Sequence, residues 1–400
     1  MKEKMNVVVI GHIDHGKSTL LGRLLYDSGT IKKRVLEEIR KTVEESFGKF
    51  EYAHILDTLQ EEREGHMTID IMHTWFSTDK REYTFIDCPG HHEFVRNMLT
   101  GASKAEGAIL VVSVVEGVED QTREHALLAK FVGIGQFLIA VNKMDAVKWK
   151  REEYERIKKE VTEMLEEIGV KKFVFVPISA IQGDNIFKKS RHMDWQGKTL
   201  VEVMDEFFEV PKKKGNEPNL GVVQYSFDDK IVGRVESGSF KRGDELLFEP
   251  SGLRGVVEEM SVCGEPCEEA SSGDVVELRV SGMKGKVSRG EVFAHAYLPK
   301  KKEEIIGEIF TFTELFPGKG YVLHRGTAQV KCRISEILEK MDPRKLSKTK
   351  GGVVEKSMLA RVRISMEEPI VIEDFTKVPS LGRFVITGPE GIVCAGKYVG

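Results

Sequence analysis

Cysteine is scarce in this chain of 400 residues and is not arranged for cross-linking. The five cysteines, Cys88, Cys263, Cys267, Cys332 and Cys394, form an odd and scattered set. Secreted domains stabilised by disulfides carry an even, regularly spaced set, and no secretory signal precedes the first apolar segment. Cys263 and Cys267 have no second ligand pair, so packing on a turn is favoured over a zinc site. The sequence therefore predicts a protein of the reducing cytoplasm.

The chain also lacks a long apolar run and an excess of charge of one sign. No apolar stretch reaches the roughly 18 residues needed to span a bilayer, so no membrane association is expected. Lysine and arginine together number 60 against 64 acidic residues, which gives a net charge of −4. This balance excludes a global attraction to nucleic acid and leaves only local basic patches for such a role.

The first half of the chain alternates short apolar runs with longer amphipathic segments. Helices are predicted at "KSTLLGRLLYDSG", "QTREHALLAKFVG" and "REEYERIKKEVTEMLEEIG", where apolar residues recur every three or four positions. Buried strands are predicted at "NVVVI", "YTFIDCP", "GAILVVSVV", "FLIAVN" and "KFVFVPIS". Such alternation indicates a mostly parallel, doubly wound α/β sheet, which we assign to residues 1–211.

The second half has a different pattern. A polar segment with proline and glycine, "PKKKGNEPN", is typical of a linker. Short alternating segments separated by turn residues follow it, as expected of a small antiparallel β-barrel. A second break, "PKKKEE" at residues 299–304, precedes another such set. We predict two antiparallel β-barrel domains, at 216–299 and 303–400, with "KMDPRKLSKTKGG" as a long loop in the second.

A phosphate-binding loop is predicted at "GHIDHGKS", residues 11–18. It follows a strand and opens a helix, which is the context that confirms the G-x-x-x-x-G-K-S motif. Backbone amides of such a loop turn toward phosphate oxygens, and the helix N-terminus favours negative charge. Lys17 would neutralise the β- and γ-phosphates, and Ser18 would bind Mg²⁺. The predicted nucleotide-binding residues here are Gly11, His12, Ile13, Asp14, His15, Gly16, Lys17, Ser18 and Thr19.

Two later segments predict that the base is guanine. "NKMD" follows an apolar strand, and its Asp145 carboxylate can accept hydrogen bonds from both the N1–H and the exocyclic amine of guanine. Asn142 can brace the loop, and Lys143 can lie along the ring. Ser179 and Ala180 follow a further strand and would bring a backbone amide to the guanine carbonyl. Adenine offers no such pair of donors, so GTP and GDP are the predicted ligands.

"DCPG", residues 87–90, supplies a predicted sensor of the γ-phosphate. Asp87 would reach Mg²⁺ through water, and the Gly90 amide would touch the γ-phosphate. The order of these motifs, each at a strand end, predicts a GTPase. The expected fold class is therefore an α/β P-loop GTPase domain followed by two antiparallel β-barrels.

The motifs "GHIDHGKST", "MTID", "DCPGHHEFVRNM", "QTREHALLA" and "AVNKMDAVKW" resemble the elongation factor 1-alpha/Tu superfamily of translational GTPases. The resemblance is close over the first 200 residues and looser through the barrels. The long stretch before "MTID" is similar to the archaeal-eukaryotic branch. "LDTLQEERE" and "VSRGEVFAHA" are equally similar to the GTPase subunit of sulfate adenylyltransferase.

The resemblance implies roles for residues of the switch segments. His91, the first of two adjacent histidines, matches the residue that positions the attacking water, whereas His92 falls on a variable position. His91, Lys17 and Gly90 are thus the predicted catalytic groups. Thr68 matches a Mg²⁺-binding threonine, which makes the predicted metal set Ser18, Thr68 and Asp87. Ile13 and Met67 match an apolar gate beside the histidine, and Asp14 matches an aspartate that holds a monovalent cation.

Three positions bear on how far the resemblance extends. His66 in "REGHMT" stands where the family has glycine, so the switch kinetics are expected to differ. Val275 in "GDVVEL" stands where carriers of aminoacyl-tRNA have asparagine, which predicts a weaker grip on the aminoacyl group. Arg96 and Asn97 match positions that touch the 5′ end of tRNA, and ordinary solvated residues are an equal alternative.

Two function classes stay open on the sequence. One is a GTPase that delivers tRNA or a tRNA-like factor to the ribosome. The alternative is a regulatory GTPase subunit that couples GTP hydrolysis to a sulfate adenylyltransferase catalytic subunit. In either case the protein is expected to be a monomer when free, with a nucleotide-exchange factor as a further expected partner.

Overall fold

The computed structural model describes residues 2–31, 34, 36–37, 39–41, 51–56, 72–87, 105–193, 197–210, 217–227, 230–262 and 264–400. Within these residues the chain divides into two compact units, one in residues 1–211 and one in residues 212–400. No helix in the described part of the chain is long and apolar enough to cross a membrane.

The first unit is built on a six-stranded sheet. Its strands are β1 (Glu3–Gly11), β2 (Met72–Ser77), β3 (Arg81–Asp87), β4 (Gly107–Ser113), β5 (Gln136–Asn142) and β6 (Lys172–Pro177). They lie in the order β2-β3-β1-β4-β5-β6, and all neighbours are parallel except β2 and β3. The strand order reverses at β1, and ligands of doubly wound folds bind at the carboxyl ends of strands beside such a point.

The helices of this unit pack on the sheet through apolar faces. They include α1 (Lys17–Ser28), α2 (Asp120–Phe131), α3 (Arg151–Glu167) and α4 (Leu200–Phe207), and a 3₁₀ turn covers Ile13–His15. On α1, Leu20, Leu21, Leu24 and Leu25 are buried at helical spacing, as the sequence predicted. The predicted mostly parallel α/β sheet is thus confirmed, and β2 and α4 are additions that the sequence interpretation did not contain.

Helix α4 carries a local signal that could have predicted it. Thr199 at its N-cap accepts a hydrogen bond from the Glu202 backbone N–H, and the Glu202 side chain accepts one from the Thr199 N–H. This reciprocal pair is the capping box of a helix start, readable as Ser/Thr three residues before Glu.

The second unit contains two barrels. The middle barrel is formed by β7 (Asn219–Phe227), β8 (Lys230–Ser237), β10 (Glu245–Glu249), β11 (Leu253–Val262), β14 (Val275–Ser281) and β15 (Val292–His295). All pairs are antiparallel, and the pairing of β10 with β11 closes the ring. Short strands β9 (Ser239–Lys241), β12 (Glu265–Pro266) and β13 (Glu269–Ser271) lie outside it.

The C-terminal barrel is formed by β16 (Lys301–Thr311), β17 (Gly320–Arg325), β18 (Ala328–Met341), β20 (Leu359–Val371), β21 (Arg383–Gly388) and β22 (Gly391–Tyr398). Its pairs are also antiparallel, and the pairing of β17 with β18 closes it. The remaining elements are β19 (Lys348–Thr349) and the short helix α5 (Pro379–Gly382). The predicted pair of antiparallel β-barrels is confirmed.

Three segments predicted from the sequence of this barrel have different boundaries in the structure. The break at 299–304 runs into a strand, because β16 already begins at Lys301. The single segment predicted at "YVLHRGTAQVKCRI" is two strands, since Gly326 adopts a left-handed φ of 57° that makes the turn between them. The predicted loop "KMDPRKLSKTKGG" is partly a hairpin, in which β19 pairs with the end of β18.

An apolar cluster and one buried arginine join the two barrels. Leu220, Val222, Val292, Ala294, Val371, Val378 and Leu381 form the cluster. Arg325, only 1% exposed, donates from Nη2 to the Gly290 carbonyl at 3.0 Å. Its Nε and Nη1 have no hydrogen-bond partner among the described residues. Burial lowers the pKa of Arg325 to about 10, partly opposed by the charge of Glu236.

We therefore expect Arg325→Met to stabilise the second unit by about 1–2 kcal/mol, because an apolar side chain of similar volume avoids the cost of a buried, poorly paired charge. Hydrogen exchange of amides in β17 and β18 measures this directly, since it reports on the barrels apart from the first unit. The control is Arg254→Met, which removes an exposed cation paired with Glu245 at 3.3 Å and should change little. Faster exchange in Arg325→Met would show that the guanidinium is a net stabiliser.

A candidate guanine nucleotide site

Two glycines fix the shape of the phosphate loop, residues 11–18. Gly11 has a φ of 141°, and a Cβ there would lie 2.3 Å from the Val111 carbonyl oxygen on β4. Gly16 has a φ of 87°, and a Cβ there would lie 2.6 Å from Nδ2 of Asn142. Any side chain at either position would collide with a neighbouring strand end, so the loop requires glycine for both conformation and space.

Lys17 and Ser18 end this loop and, with Thr19, form the first turn of α1. The Lys17 ammonium donates to the carbonyls of Gly11 at 2.9 Å and of His12 at 2.7 Å, so it lies over the loop. Ser18 and Thr19 are half-buried. Asp14 is exposed, and Ile13 is 72% exposed. The structure thus brings the predicted phosphate-binding residues together at the carboxyl end of β1.

His15 is the buried member of the loop. Its Nδ1 lies 3.2 Å from the Val111 carbonyl oxygen, which can only accept, so Nδ1 carries the proton. Burial lowers the pKa of His15 to about 4, with the Val111 hydrogen bond opposing the shift. The imidazole is therefore neutral at pH 7 and acts in the loop as a packing and hydrogen-bonding group.

Helix α2 supports the loop from outside, a role that the sequence interpretation missed. The Ile13 N–H donates to Oε1 of Gln121 at 3.2 Å. His125 Nδ1 lies 3.3 Å from the Gly11 nitrogen and 3.0 Å from its carbonyl oxygen. Gln121 and His125 are four residues apart and so share one helix face. That spacing within "QTREH" was the signal available in the sequence.

Asn142 connects the phosphate loop with the segment after β6. Its Nδ2 donates to the His15 carbonyl at 2.9 Å, and its Oδ1 accepts from the Ala180 N–H at 2.9 Å. The side chain is 3% exposed. This single amide therefore fixes the distance between the loops predicted to bind the phosphates and the base, which gives a physical basis for the predicted bracing role.

The remaining base-binding candidates lie beside Asn142. Ser179 Oγ donates to Oδ1 of Asp145 at 2.6 Å, which orients the carboxylate. Lys143 has a left-handed φ of 65°, and its ammonium bonds both carboxylate oxygens of Glu116, at 3.0 and 3.2 Å. Ser179 and Ala180 are buried. A carboxylate, a lysine stem and a backbone amide thus come from two adjacent strand ends.

Several predicted residues lie outside the described part of the chain. They are His66, Met67, Thr68, Cys88, Gly90, His91, His92, Arg96, Asn97 and Cys263. Asp87 is described by its backbone alone, as the last residue of β3. Their assigned roles stay predictions.

Magnesium fits the donors that the site offers. Ser18 presents a hydroxyl at the start of α1, and Asp87 ends the parallel neighbour of β1. Mg²⁺ is usually bound by one or two protein ligands and completed by phosphate oxygens and water. No group of three or more histidine, cysteine, aspartate or glutamate side chains that could hold a metal occurs among the residues described. The Ser18 hydroxyl is a ligand of the kind that this mode of Mg²⁺ binding uses.

The chain is similar to known proteins over its whole length. The profile of the Elongation factor Tu GTP binding domain matches residues 2–210, and the GTP-eEF1A C-terminal domain-like profile matches residues 308–398. Elongation factor 1-alpha of Archaeoglobus fulgidus is 41% identical over 415 residues, covering 100% of this chain and 98% of the relative. That of Methanocaldococcus jannaschii is 41% identical over 424 residues, covering 100% and 97%.

A solved structure, a crystal structure of sup35 complexed with GDP, is 26% identical. It covers 100% of this chain and 94% of that one, with a TM-score of 0.45.

Proposed function

Because the chain belongs to the elongation factor 1-alpha/Tu family of GTPases, we propose that it delivers tRNA or a tRNA-like factor to the ribosome. The observation that carries the proposal is the full-length identity of about two residues in five to elongation factors 1-alpha, through both barrels as well as the GTPase domain. The protein would act in the cytoplasm.

The nucleotide cycle would use the groups described above. Asp145 would accept from the guanine N1–H and amine, the Ala180 N–H would face the guanine carbonyl, and Lys143 would lie along the ring. Lys17 would leave the loop carbonyls for the β- and γ-phosphate oxygens, which are stronger acceptors because they are charged. A Mg²⁺ ion, held by Ser18 and Thr68 and through water by Asp87, would supply electrostatic stabilisation of the transferring phosphoryl group.

Hydrolysis would depend on residues of the "DCPGH" segment. The Gly90 amide would contact the γ-phosphate, and His91 would hold a water in line for attack. Both groups follow directly from the end of β3, which lies beside β1 and its phosphate loop. The exposed carboxylate of Asp14 would hold a monovalent cation.

Val275 bears on what would be delivered. It begins β14 opposite Arg234 of β8 and is 46% exposed, on the outer surface of the middle barrel. An isopropyl group there cannot make the hydrogen bond that the family asparagine offers. We expect weaker discrimination for the aminoacyl group than in a general elongation factor. The relatives described above are elongation factors 1-alpha, and they give the sulfate adenylyltransferase alternative no support.

The test has two measurements on the full chain. Purified ribosomes should raise the rate of GTP hydrolysis, and the GTP-bound protein should slow spontaneous hydrolysis of an aminoacyl-tRNA ester relative to the GDP-bound protein. If tRNA is held through its phosphates, its affinity for the GTP-bound protein should fall as the salt concentration rises. Equal ester hydrolysis in both nucleotide states, together with no response to ribosomes, would overturn the translational role and leave a GTPase with another partner.

A further inference from the structure

Glu116 lies outside every motif that the sequence interpretation used, yet it contacts two of the predicted nucleotide-binding segments. It belongs to the turn that follows β4, residues 113–117, here called the β4 turn. Its carboxylate bonds the Lys143 ammonium at 3.0 and 3.2 Å, and Oε2 lies 3.9 Å from Nε2 of His15. The phosphate loop, the β4 turn and the "NKMD" segment therefore meet at this one side chain.

The β4 turn is held rigidly enough to position that carboxylate. Ser113 Oγ accepts from the Val115 N–H at 3.2 Å and the Glu116 N–H at 3.4 Å. The Gly117 N–H donates to the Ser113 carbonyl at 2.9 Å, and Gly117 adopts a left-handed φ of 77°. The turn is thus closed by its own hydrogen bonds, as in other serine-stabilised turns.

Helix α3 also anchors the turn. Arg156 donates from Nη2 to the Val114 carbonyl at 2.9 Å. The same guanidinium is oriented by Glu153 at 3.0 Å and Glu160 at 2.9 Å on its own helix. A chain of contacts therefore runs from a surface helix through the β4 turn to the lysine predicted to lie on the guanine ring.

The lowered pKa of the Glu116 carboxyl favours the charged form that pairs with Lys143. Partial burial raises the pKa of its carboxyl, but hydrogen bonds from Ser113 and Lys143 outweigh that effect and lower the pKa below its usual value. His15 is neutral at pH 7, so Lys143 is the cation in contact with the Glu116 carboxylate. About a third of each side chain of the pair is exposed, so the attraction is screened but not abolished.

We propose that Glu116 is a positioning residue for nucleotide binding: it holds the Lys143 side chain in place for the base and so slows the release of guanine nucleotide. The physical reason is that Lys143 has four rotatable side-chain bonds, whose freedom would otherwise be lost on each binding event. Because the ion pair with Glu116 already restricts the Lys143 side chain in the free protein, less side-chain entropy is lost when the nucleotide binds. The inference rests on the proposed nucleotide site and adds to it a residue that controls residence time.

The test is the release of a fluorescent GDP analogue chased by excess GDP. Glu116→Gln should release it roughly fivefold faster, the scale of a partly exposed ion pair, with no change in thermal unfolding. The difference from the native chain should shrink as salt rises, which a purely structural defect would not do. Glu116→Asp keeps the charge but shortens the reach by one methylene, so an intermediate rate is expected.

Two controls test whether the effect of Glu116→Gln on nucleotide release depends on Lys143. Glu119→Gln removes the same charge three residues away, from an exposed side chain, and should leave release unchanged. Combining Glu116→Gln with Lys143→Gln should give little more effect than Lys143→Gln alone. If Glu116→Gln accelerates release equally with Lys143 absent, the carboxylate does not act through Lys143 and the proposal is overturned.

Unchanged release in Glu116→Gln, with normal guanine binding by the native chain, would overturn it as well. A native chain that binds no guanine nucleotide would instead overturn the proposed nucleotide site, and this inference with it.

Discussion

Asp145→Asn should lower the affinity for GTP by roughly 10²-fold or more and shift the preference toward xanthine nucleotides. The proposed carboxylate accepts from two guanine donors, and the amide would place a donor against a donor. A site built to hydrogen-bond a ligand group rejects the mismatched analogue by factors of roughly 10⁴ when partners are left unpaired. Xanthine has a carbonyl where guanine has its amine, so the new amide regains a partner there.

The hydrogen bond between Ser179 and Asp145 favours the expected shift toward xanthine nucleotides. Ser179 Oγ donates to Oδ1 of Asp145 at 2.6 Å, so the oxygen of the new amide can keep that bond and leave its nitrogen directed to the base. Competition of GTP, XTP and ATP for a fluorescent GTP analogue is the measurement. Asp79→Asn, an exposed carboxylate on the turn between β2 and β3, is the control. Unchanged guanine selectivity in Asp145→Asn would refute the base-binding assignment.

His91→Ala should leave GTP affinity nearly intact and slow ribosome-stimulated hydrolysis by roughly 10²-fold or more, the contribution expected of a group that positions or deprotonates water. The expectation comes from the family resemblance, in which His91 matches the residue that positions the attacking water. Its place directly after the glycine predicted to touch the γ-phosphate agrees with that role. An attacking water must lie in line beyond that phosphate. Single-turnover hydrolysis with saturating ribosomes separates the chemical step from binding.

His92→Ala is the matched control for this measurement, because it removes the same imidazole one residue along the chain. It should hydrolyse GTP at close to the native rate. The reverse result, with His92→Ala slow and His91→Ala normal, would mean that the neighbouring histidine faces the nucleotide.

The site could be predicted from sequence to the extent that its chemistry is local. "GHIDHGKS" specifies a strand, a turn and a helix start within a few residues, and both glycines have the conformations that the motif implies. "NKMD" predicts that Asn142 braces the loop, and Asn142 does join the phosphate loop to Ala180. Such motifs are readable because each needs particular residue types at fixed spacing.

Contacts between distant segments could not be predicted in this way. Glu116 and Lys143 are 27 residues apart and meet because β4 and β5 are parallel neighbours whose carboxyl ends coincide. Gln121 and His125 reach the phosphate loop because α2 packs beside β1, more than 100 positions away in the chain. The sequence carries no signal that Glu116 contacts Lys143. The four-residue spacing of Gln121 and His125 places them on one helix face but does not say which loop that face contacts.

The sequence by itself determined the fold class, the guanine nucleotide motifs and the family, since hydrophobic periodicity and motif spacing are local properties of the chain. Only the tertiary structure decided how the barrels close, through the pairings of β10 with β11 and of β17 with β18. It also decided that Arg325 is buried where the barrels meet, and which side chains support the nucleotide loops. These features depend on which strand ends and surfaces come together, and that is fixed by packing of the whole chain.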